Sequence, residues 1–203
     1  MTPDSDTTGA AEPQRLHSDY YTALYQAALA FSSSLELQEV LQTVVTNITE
    51  TMRVKACVVR LLDARTGRLQ LSAYQGLSSG YLAKGPVEVE HSPIDSEALQ
   101  GKTVMIYDVS TDSRFQYVEA ARREGIASVL CVPLEVRGNA IGVMRVYTAE
   151  CCTFHEDDIR FLTVLARLAG LAIENASLYE SVKSSYDGVL DVLWGTSLQY
   201  SDA

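Results

Sequence analysis

The sequence predicts an α+β fold, in which a sheet is covered by helices and long helices extend from it. Two observations indicate this class. In the middle of the chain, six short runs rich in Val, Ile and Leu have strand length and are separated by turn signals. Toward both ends, apolar residues instead recur every three or four positions over longer stretches, which is the period of an amphipathic helix.

The N-terminal part of the chain is predicted to be a tail followed by helices. Residues 1–14 are small and polar and contain Pro, so we expect a disordered tail. Residues 15–34 are expected to form an N-terminal helix. Ser33 and Glu36 match a capping box, which predicts that a second helix opens there. The second helix carries an apolar stripe at helical spacing, formed by Leu37, Val40, Leu41, Val44, Ile48 and Met52.

The six strand-like segments follow the second helix. The first is a near-continuous apolar run, the second alternates, and the last two are joined by the turn residues Arg137-Gly138-Asn139. Short helices are expected between the middle segments, at 95–100 and 115–124. In chain order the predicted strands are 55–63, 68–74, 87–89, 104–107, 128–136 and 140–148.

Strand alternation assigns side chains to the two faces of the sheet. With Gly138-Asn139 as a two-residue turn, pairing in the last hairpin places Arg145 and Tyr147 on one face and Cys131 on the other. An arginine is not expected on a face that is packed by helices, so the Arg145 face is predicted to be a pocket side. The same reasoning points Arg60 of the first strand to the pocket.

Composition narrows the function classes. The 203 residues have a net charge of −10, and an acidic surface repels phosphate backbones, so we expect no nucleic-acid partner. No apolar run has the length of a membrane span, and the first residues do not resemble a signal peptide, so we expect a cytoplasmic protein without membrane insertion. The four cysteines lack CxxC spacing, which favours reduced thiols.

Motifs of catalysis are missing from the sequence, so we expect no enzyme. There is no GxSxG, no HExxH and no phosphate-binding loop. His91 has no nearby Cys or His at metal spacing, which disfavours haem or metal ligation. Cys151 and Cys152 lie in a predicted loop before the last helix, where a redox or metal-sensing role competes with that of ordinary loop thiols.

An ordered set of motifs resembles GAF domains, which are small sensory modules of the PAS-like group. These motifs are LLD at 61–63, AYQGLSSGYLAKGPV at 73–87, SEALQGKTVMIYDVSTDSRF at 96–115, GIASVLCVPL with GNAIGVMRVY in the hairpin, and LARLAGLAIENASLYE at 165–180. We assign residues 35–176 to the GAF domain. The resemblance implies a mostly antiparallel sheet of about six strands, with helices on one face and a pocket roofed by loops and short helices on the other.

The resemblance also allows known ligand classes to be compared with this sequence. Cyclic-nucleotide-binding members carry an Asn-Lys pair where this chain has Tyr147-Thr148-Ala149, and a Glu where it has Ile159. Bilin-binding members need a Cys followed by His, which no cysteine here provides. Free-methionine-sulfoxide reductases use spaced pocket cysteines, whereas Cys131 is predicted on the helix face. Haem, bilin and cyclic nucleotide are therefore disfavoured, and no cofactor is expected.

The predicted pocket contains two arginines. The family's sheet places the first and last strands side by side, so Arg60 and Arg145 are expected to be neighbours in a partly buried site. Two desolvated guanidinium groups need a negative charge, either from a small anionic ligand or from the protein itself. The protein's own candidates are Asp63, Glu88, Glu90, Asp95 and Asp108. The ligand-binding candidates are Arg60, Arg145, Tyr147, Tyr74, Tyr107, Asp108, Phe115 and Tyr117.

The last helix carries two apolar stripes. One contains small residues, ends at Ala176 and is expected to lie on the sheet. The other has the alternating steps of three and four that are typical of a coiled coil, and it continues into a helical extension at 177–194, before a tail at 195–203. It predicts a homodimer, although packing against the helix from Tyr20 to Phe31 is an alternative. Its residues are Leu165, Leu168, Ala172, Asn175, Tyr179, Val182, Tyr186, Val189 and Leu193.

Together these features predict a sensory domain that binds a small anionic ligand and relays its occupancy through a dimeric terminal helix. The output would pass to a signalling partner or to an effector domain outside this chain. A ligand-free dimerisation module is the first alternative. A thiol-dependent enzyme similar to methionine sulfoxide reductases is the second.

Overall fold

The computed structural model describes residues 19–29 and 36–195 of the chain. The predicted tail at 1–14, the capping residue Ser33 and nearly all of the tail at 195–203 lie outside these residues. Helix α1 covers 19–29 within the predicted N-terminal helix. The other helices are α2 (Leu37–Thr51), α3 (Ser79–Leu82), α4 (Pro93–Leu99), α5 (Val118–Glu124) and α6 (Glu156–Gly195).

The six predicted strands form one antiparallel sheet. They are β1 (Ala56–Asp63), β2 (Arg68–Gln75), β3 (Val87–Glu88), β4 (Val104–Ile106), β5 (Ser128–Val136) and β6 (Asn139–Thr148). Their order across the sheet is β3-β2-β1-β6-β5-β4, and every neighbouring pair is antiparallel. The expected pairing of the first strand with the last strand is confirmed.

The two faces of the sheet carry separate apolar cores. Helices α1, α2 and α6 pack on one face, where Leu41, Ile48, Leu162 and Leu165 are completely or almost completely buried. On the other face the sheet is covered by α3, α4, α5 and their loops, with a core that includes Val58, Ile94, Phe115 and Tyr147. Helices on one face and a roof of short elements on the other confirm the predicted layers.

The turn of the β5–β6 hairpin is displaced from the predicted position. Arg137 and Gly138 are its central residues, with φ of 50° and 79°, and Val136 pairs with Asn139. Positive φ at both central residues is the signature of a type I′ turn, whose twist matches that of the strands. Compared with the prediction, this displacement alone would give each residue of β6 a partner two positions away along β5. Residues two positions apart in a strand lie on the same face, so the displacement leaves the assignment of faces unchanged.

A bulge beyond the turn does change the faces of β5. Ala140 pairs with Glu135 and Gly142 with Leu134, so Ile141 is an extra residue on β6. One extra residue moves the partner strand to the opposite face. Arg145 therefore pairs with Cys131, and the prediction that Cys131 faces the helices is wrong.

The start of α2 also differs from the prediction. Its N-cap is Glu36, whose side chain makes no capping hydrogen bond, three residues after the predicted cap Ser33, which lies outside the described residues. The apolar stripe nevertheless packs as expected, because Val40, Val44 and Ile48 are buried against the sheet.

Gly142 is a point of close contact between the central strands. A Cβ atom there would lie 2.3 Å from the Arg60 carbonyl oxygen and 3.1 Å from the Leu61 Cα atom. Both contacts involve backbone, which cannot move without disturbing the pairing of β1 with β6. Only glycine therefore fits beside β1 at this position.

Gly142→Ala is expected to lower the free energy of unfolding by about 1–3 kcal/mol, because the added methyl group overpacks the β1–β6 interface. Gly80→Ala is the matched control, since a Cβ atom at that helical position meets only Ser78 Oγ, at 3.7 Å. Urea unfolding of both variants measures the difference. Equal midpoints for the two variants would contradict the close contact.

Candidate functional site

The pairing of β1 with β6 brings two arginines together on the roofed face. Arg145 pairs with Val58, and Arg60 pairs with Val143 two positions along the ladder. Residues related in this way lie diagonally on one face of a sheet, with Cα atoms about 7–8 Å apart. Each arginine is only 7% exposed. The expected neighbourhood of two buried guanidinium groups is present.

Arg145 is bound to the roof by residues of the α4 region. Its Nη2 atom forms an ion pair with Oδ1 of Asp95 and donates a hydrogen bond to Ser92 Oγ at 3.3 Å. Asp95 lies in the first turn of α4 and is completely buried. One of the five carboxylates that the sequence offered as an internal counter-ion thus occupies that role for Arg145.

This ion pair leaves hydrogen-bonding capacity unused. Within the residues that the structure describes, neither carboxylate oxygen of Asp95 accepts a hydrogen bond of good geometry, and Arg145 Nε donates none. Buried polar atoms are normally paired, because an unpaired one has lost its water without replacement. Arg145 and Asp95 are therefore paired in charge but incompletely satisfied in hydrogen bonding.

Arg60 has weaker contacts. Its Nη1 atom donates to the Leu69 carbonyl oxygen at 3.4 Å. Across the described parts of the chain, no carboxylate lies within 4 Å of its guanidinium group. A buried cation thus lies on the floor of the site without an adjacent negative charge.

Lys84 adds a third cation from the roof. Its Nζ atom lies 3.9 Å from the ring centroid of Tyr81 and donates to the Tyr81 carbonyl oxygen at 3.5 Å. Burial lowers the pKa of this ammonium group to about 8, with a further contribution from the positive charges of Arg60 and Arg145. The positive charges of both arginines therefore repel the ammonium group of Lys84.

A small cavity lies between these cations. The volume open to the centre of a water molecule is about 10 Å³, which is roughly the space for one water. The roof above it is tied down at two points, where Tyr117 donates to the Pro86 carbonyl oxygen at 2.7 Å and where Glu124 accepts from Ser78. The lining residues are Arg60, Tyr81, Lys84, Val87, Ser92, Ile94, Phe115, Gln116, Tyr117, Arg145 and Tyr147.

The structure brings five of the predicted ligand-binding residues to this cavity, namely Arg60, Arg145, Tyr147, Phe115 and Tyr117. Burial raises the pKa of the Tyr147 hydroxyl, which keeps it protonated as a hydrogen-bond donor at neutral pH.

Three predicted residues lie elsewhere. Tyr74 and Tyr107 are 39% and 58% exposed, and the Asp108 carboxylate is occupied by the amide and hydroxyl of Ser110 in a surface turn. None of the three belongs to the cavity lining. Their strand positions alone do not show where the roof lies.

Lys84, Tyr81 and Ser92 were missed by sequence reasoning. They lie in α3 and in the loops on either side of β3, and no periodic pattern indicates where such segments point. The one available signal was the AKGP stretch at 83–86, in which a lysine stands between a short helix and a strand.

The cysteines fall into two pairs. Cys57 and Cys131 are completely buried, and burial raises the pKa of the Cys131 thiol to about 12, so it is uncharged at neutral pH. Cys131 lies on the cavity side of the sheet, in contrast to the prediction. Thiol chemistry at Cys131 is disfavoured because the side chain is buried, although it lies on the cavity side as a reactive thiol would. Cys151 is exposed and Cys152 is half-buried in the loop before α6, as predicted.

The predicted coiled-coil stripe of α6 has a buried part and an exposed part. Leu165 is completely buried in the core of its own chain, and Leu168 packs against that core. Further along, Ala172 is half-buried, and Asn175, Tyr179, Val182 and Tyr186 are exposed. For Val189 and Leu193, only their position in the helix is described. The stripe is therefore covered within the chain at its start and exposed from Asn175 to Tyr186.

Two apolar residues of this surface were missed. Leu171 and Leu178 are 53% and 52% exposed. Each directly precedes a residue of the predicted stripe in the sequence, Ala172 and Tyr179 respectively. Helix α1 covers α6 nearer its start, where the rings of Tyr20 and Phe161 stack with centroids 4.1 Å apart. Packing of the N-terminal helix on α6, which the sequence analysis gave as the alternative to a dimer, is thus seen at the first turns of α6.

One helical stretch in the described residues is long and apolar enough to cross a membrane by length and composition, namely Glu156–Tyr186 of α6. Part of that apolar character belongs to residues buried in the core, namely Phe161, Leu162, Leu165, Ala166, Ala169 and Ile173. No group of three or more His, Cys, Asp and Glu residues in the described segments is arranged to hold a metal ion.

A six-stranded antiparallel sheet, with helices on one face and a roofed cavity on the other, is the architecture of the small sensory modules that the sequence resembles. The sequence model of the GAF domain matches residues 36–173. The chain belongs to the GAF domain family.

Several known proteins are similar to this chain. The methyl sulfide methyltransferase-associated sensor of Methanosarcina acetivorans is 27% identical over 175 residues, which are 80% of this chain and 18% of that protein. The chain therefore spans about a fifth of the length of this curated relative.

Solved structures agree in fold. The GAF domain of a phosphoenolpyruvate-protein phosphotransferase from Coxiella burnetii superimposes with a TM-score of 0.73 at 20% identity, covering 81% of this chain and 98% of that one. Free methionine-R-sulfoxide reductase from Neisseria meningitidis, in complex with its substrate, gives 0.68 at 20% identity, covering 88% and 97%. At such identities the likeness shows the fold alone.

Breaking the Asp95–Arg145 pair is expected to be costly. Arg145→Met leaves Asp95 as a buried charge without a partner, which typically costs about 3–5 kcal/mol, whereas Arg145→Met with Asp95→Leu replaces both charges by apolar groups and recovers most of that loss. Urea unfolding of the single and double variants measures this coupling.

The exposed pair of Arg122 and Glu119 is the control, because both side chains are at least 70% exposed and such pairs contribute about 0–1 kcal/mol. If Arg145→Met unfolds at the same urea concentration as Arg122→Met, the buried pair is not the constraint described above.

Proposed function

We propose that this GAF domain senses a small anionic molecule, which it binds in the cavity between β1, β6 and the roof. The observation that carries the proposal is the charge of the site. Arg60, Lys84 and Arg145 all line one small cavity, whereas Asp95 is the one carboxylate in ion-pair contact with any of them among the described residues.

The physical reason is the cost of burying cations. A guanidinium group that is removed from water needs negative charge and hydrogen-bond acceptors nearby. Asp95 compensates Arg145, which leaves Arg60 and Lys84 with no ion-pair partner among the described residues. An anion between floor and roof would supply that charge. Because the cavity in this structure has room for about one water, the roof segments around Lys84 and Ser92 would have to move outward to admit it. A planar guanidinium group suits carboxylate or phosphate oxygens.

The relatives support a sensory role at a coarser level. The Methanosarcina acetivorans protein is described as a sensor, and one solved neighbour belongs to a methyl-accepting chemotaxis protein. Neither description names a ligand for this chain, so the anion rests on the cavity.

Signal output is proposed to pass through α6. Strand β6 carries Arg145 and Tyr147 and leads through the loop at 149–155 directly into this helix. A ligand that shifts β6 would change the position of α6 against a second copy of the chain. The exposed residues Leu171, Leu178, Tyr179, Val182 and Tyr186 would form the dimer seam, and a signalling partner or effector domain outside this chain would receive the output.

Anion binding predicts a thermal shift that depends on Arg60. At an anion concentration of about 100 times the dissociation constant, binding stabilises by about 2.7 kcal/mol, which raises the Tm of a domain of this size by roughly 5–10 °C. Phosphate, sulfate and short carboxylates are titrated against wild type and Arg60→Gln, which should lose the shift.

Arg65→Gln is the matched control, because it removes the same charge at an exposed position in the β1–β2 turn. General salt effects act equally on both variants. If no anion stabilises the wild type more than Arg60→Gln, the sensor proposal fails and the ligand-free dimerisation module becomes the better account.

Dimerisation predicts a concentration-dependent molecular mass in solution. Leu171→Glu combined with Val182→Glu places charges in the proposed seam and should give monomers where the wild type gives dimers. Light scattering after size-exclusion chromatography measures the mass, with Lys183→Glu, a substitution at an exposed polar position of the same helix, as control. A wild-type protein that stays monomeric at high concentration would rule out the relay.

A further inference from the structure

The charge balance of the cavity indicates which kind of anion it takes. We propose that the ligand is a dianion, such as a phosphate or a short dicarboxylate, which meets Arg60 on the sheet and Lys84 on the roof. This inference rests on the proposed anion sensor and specifies its ligand class.

The count of charges around the cavity carries the inference. The positive groups are Arg60 of β1, Arg145 of β6 and Lys84 of the roof, and the buried negative group is Asp95 of α4. Among the groups that line the cavity or pair with its lining, the difference is two positive charges; Glu124 also acts on Lys84 but lies outside the lining. A monoanion would leave one of these cations without a counter-charge in the cavity, whereas a dianion balances the site.

The other acidic group near Lys84 is already engaged. Glu124 of α5 accepts from the Ser78 amide at 2.7 Å and, through its other oxygen, from the Ser78 hydroxyl. Its electrostatic contribution at Lys84 is smaller than those of Arg60, Arg145 and Asp95. The remaining neighbours are the rings of Tyr81 and Tyr117, at 3.9 and 5.6 Å, which attract a cation but carry no charge at neutral pH.

Lys84 links the charge of the ligand to a proton. Its pKa is about 8, below the usual 10.5, because burial and the two arginines oppose its positive charge. A dianion beside Lys84 reverses this repulsion, so the pKa rises on binding. Binding near pH 8 therefore takes up a proton, and the affinity falls as the pH rises above 8.

Anions of matched shape test the charge. Sulfate and perchlorate are both tetrahedral and differ by one negative charge, and malonate and butyrate provide the carboxylate pair. At equal ionic strength and pH 7.5, we expect the dianion of at least one pair to bind wild type at least tenfold more tightly than its monoanion. The pair with the larger ratio distinguishes a phosphate-like ligand from a dicarboxylate.

Variants of lysine identify the residue responsible. Lys84→Gln should reduce the tenfold ratio to about threefold or less while monoanion binding stays, whereas Lys102→Gln, at an exposed position, should retain the full ratio. Calorimetry at pH 8 in two buffers of different ionisation enthalpy should show proton uptake with wild type and none with Lys84→Gln.

The outcomes separate this inference from the proposed function. Equal binding of monoanions and dianions that is still lost in Arg60→Gln overturns the dianion and leaves the anion sensor standing. Absence of any Arg60-dependent binding overturns both. A dianion preference that Lys84→Gln leaves unchanged overturns the role of Lys84.

Discussion

The antiparallel pairing of β1 with β6 is the constraint on which the candidate site depends. These are the first and last strands in chain order, yet they lie side by side at the centre of the sheet. Their register places Arg60 and Arg145 diagonally on one face, and the missing side chain at Gly142 permits the close backbone contact. The separation of the Cα atoms of the two arginines is thereby set by the hydrogen-bonded ladder between β1 and β6.

The Asp95–Arg145 pair connects this rigid floor to a roof made of short elements. A buried ion pair contributes little net stability, because the desolvation of both charges offsets most of their attraction. It does, however, define geometry, since Asp95 has no other buried cation in contact within the described residues. The pair therefore positions α4 over the cavity and leaves Arg60 and Lys84 as the groups whose charges are still to be balanced.

Sequence periodicity was sufficient for most of the elements, because each strand and long helix buries a face that its residue pattern displays, whereas the layers were predicted from the resemblance to GAF domains. The predicted face of Cys131 was wrong for a local reason. The extra residue Ile141 exchanges the two faces of β5 relative to β6, and the apolar pattern of the sequence gives no sign of it. Lys84 and Ser92 were not predictable, because roof segments are positioned by tertiary contacts such as Tyr117 with Pro86. Arg60 and Arg145 were found because charged residues inside apolar strands contrast with their neighbours.

The separation of charge between the two faces explains why a signal from this cavity would leave through β6. The helix face is an apolar core, which transmits displacement through packing; its described members carry no ion pair, and their polar groups are the Tyr20 hydroxyl and the Cys57 thiol. The roofed face holds the charges, and β6 belongs to both, with Arg145 on one side and Met144 and Val146 packed in the helix-side core. A force on Arg145 therefore acts on a strand that pairs along its length with β5, on which α6 mainly packs, so the two faces are coupled through the β5–β6 hairpin.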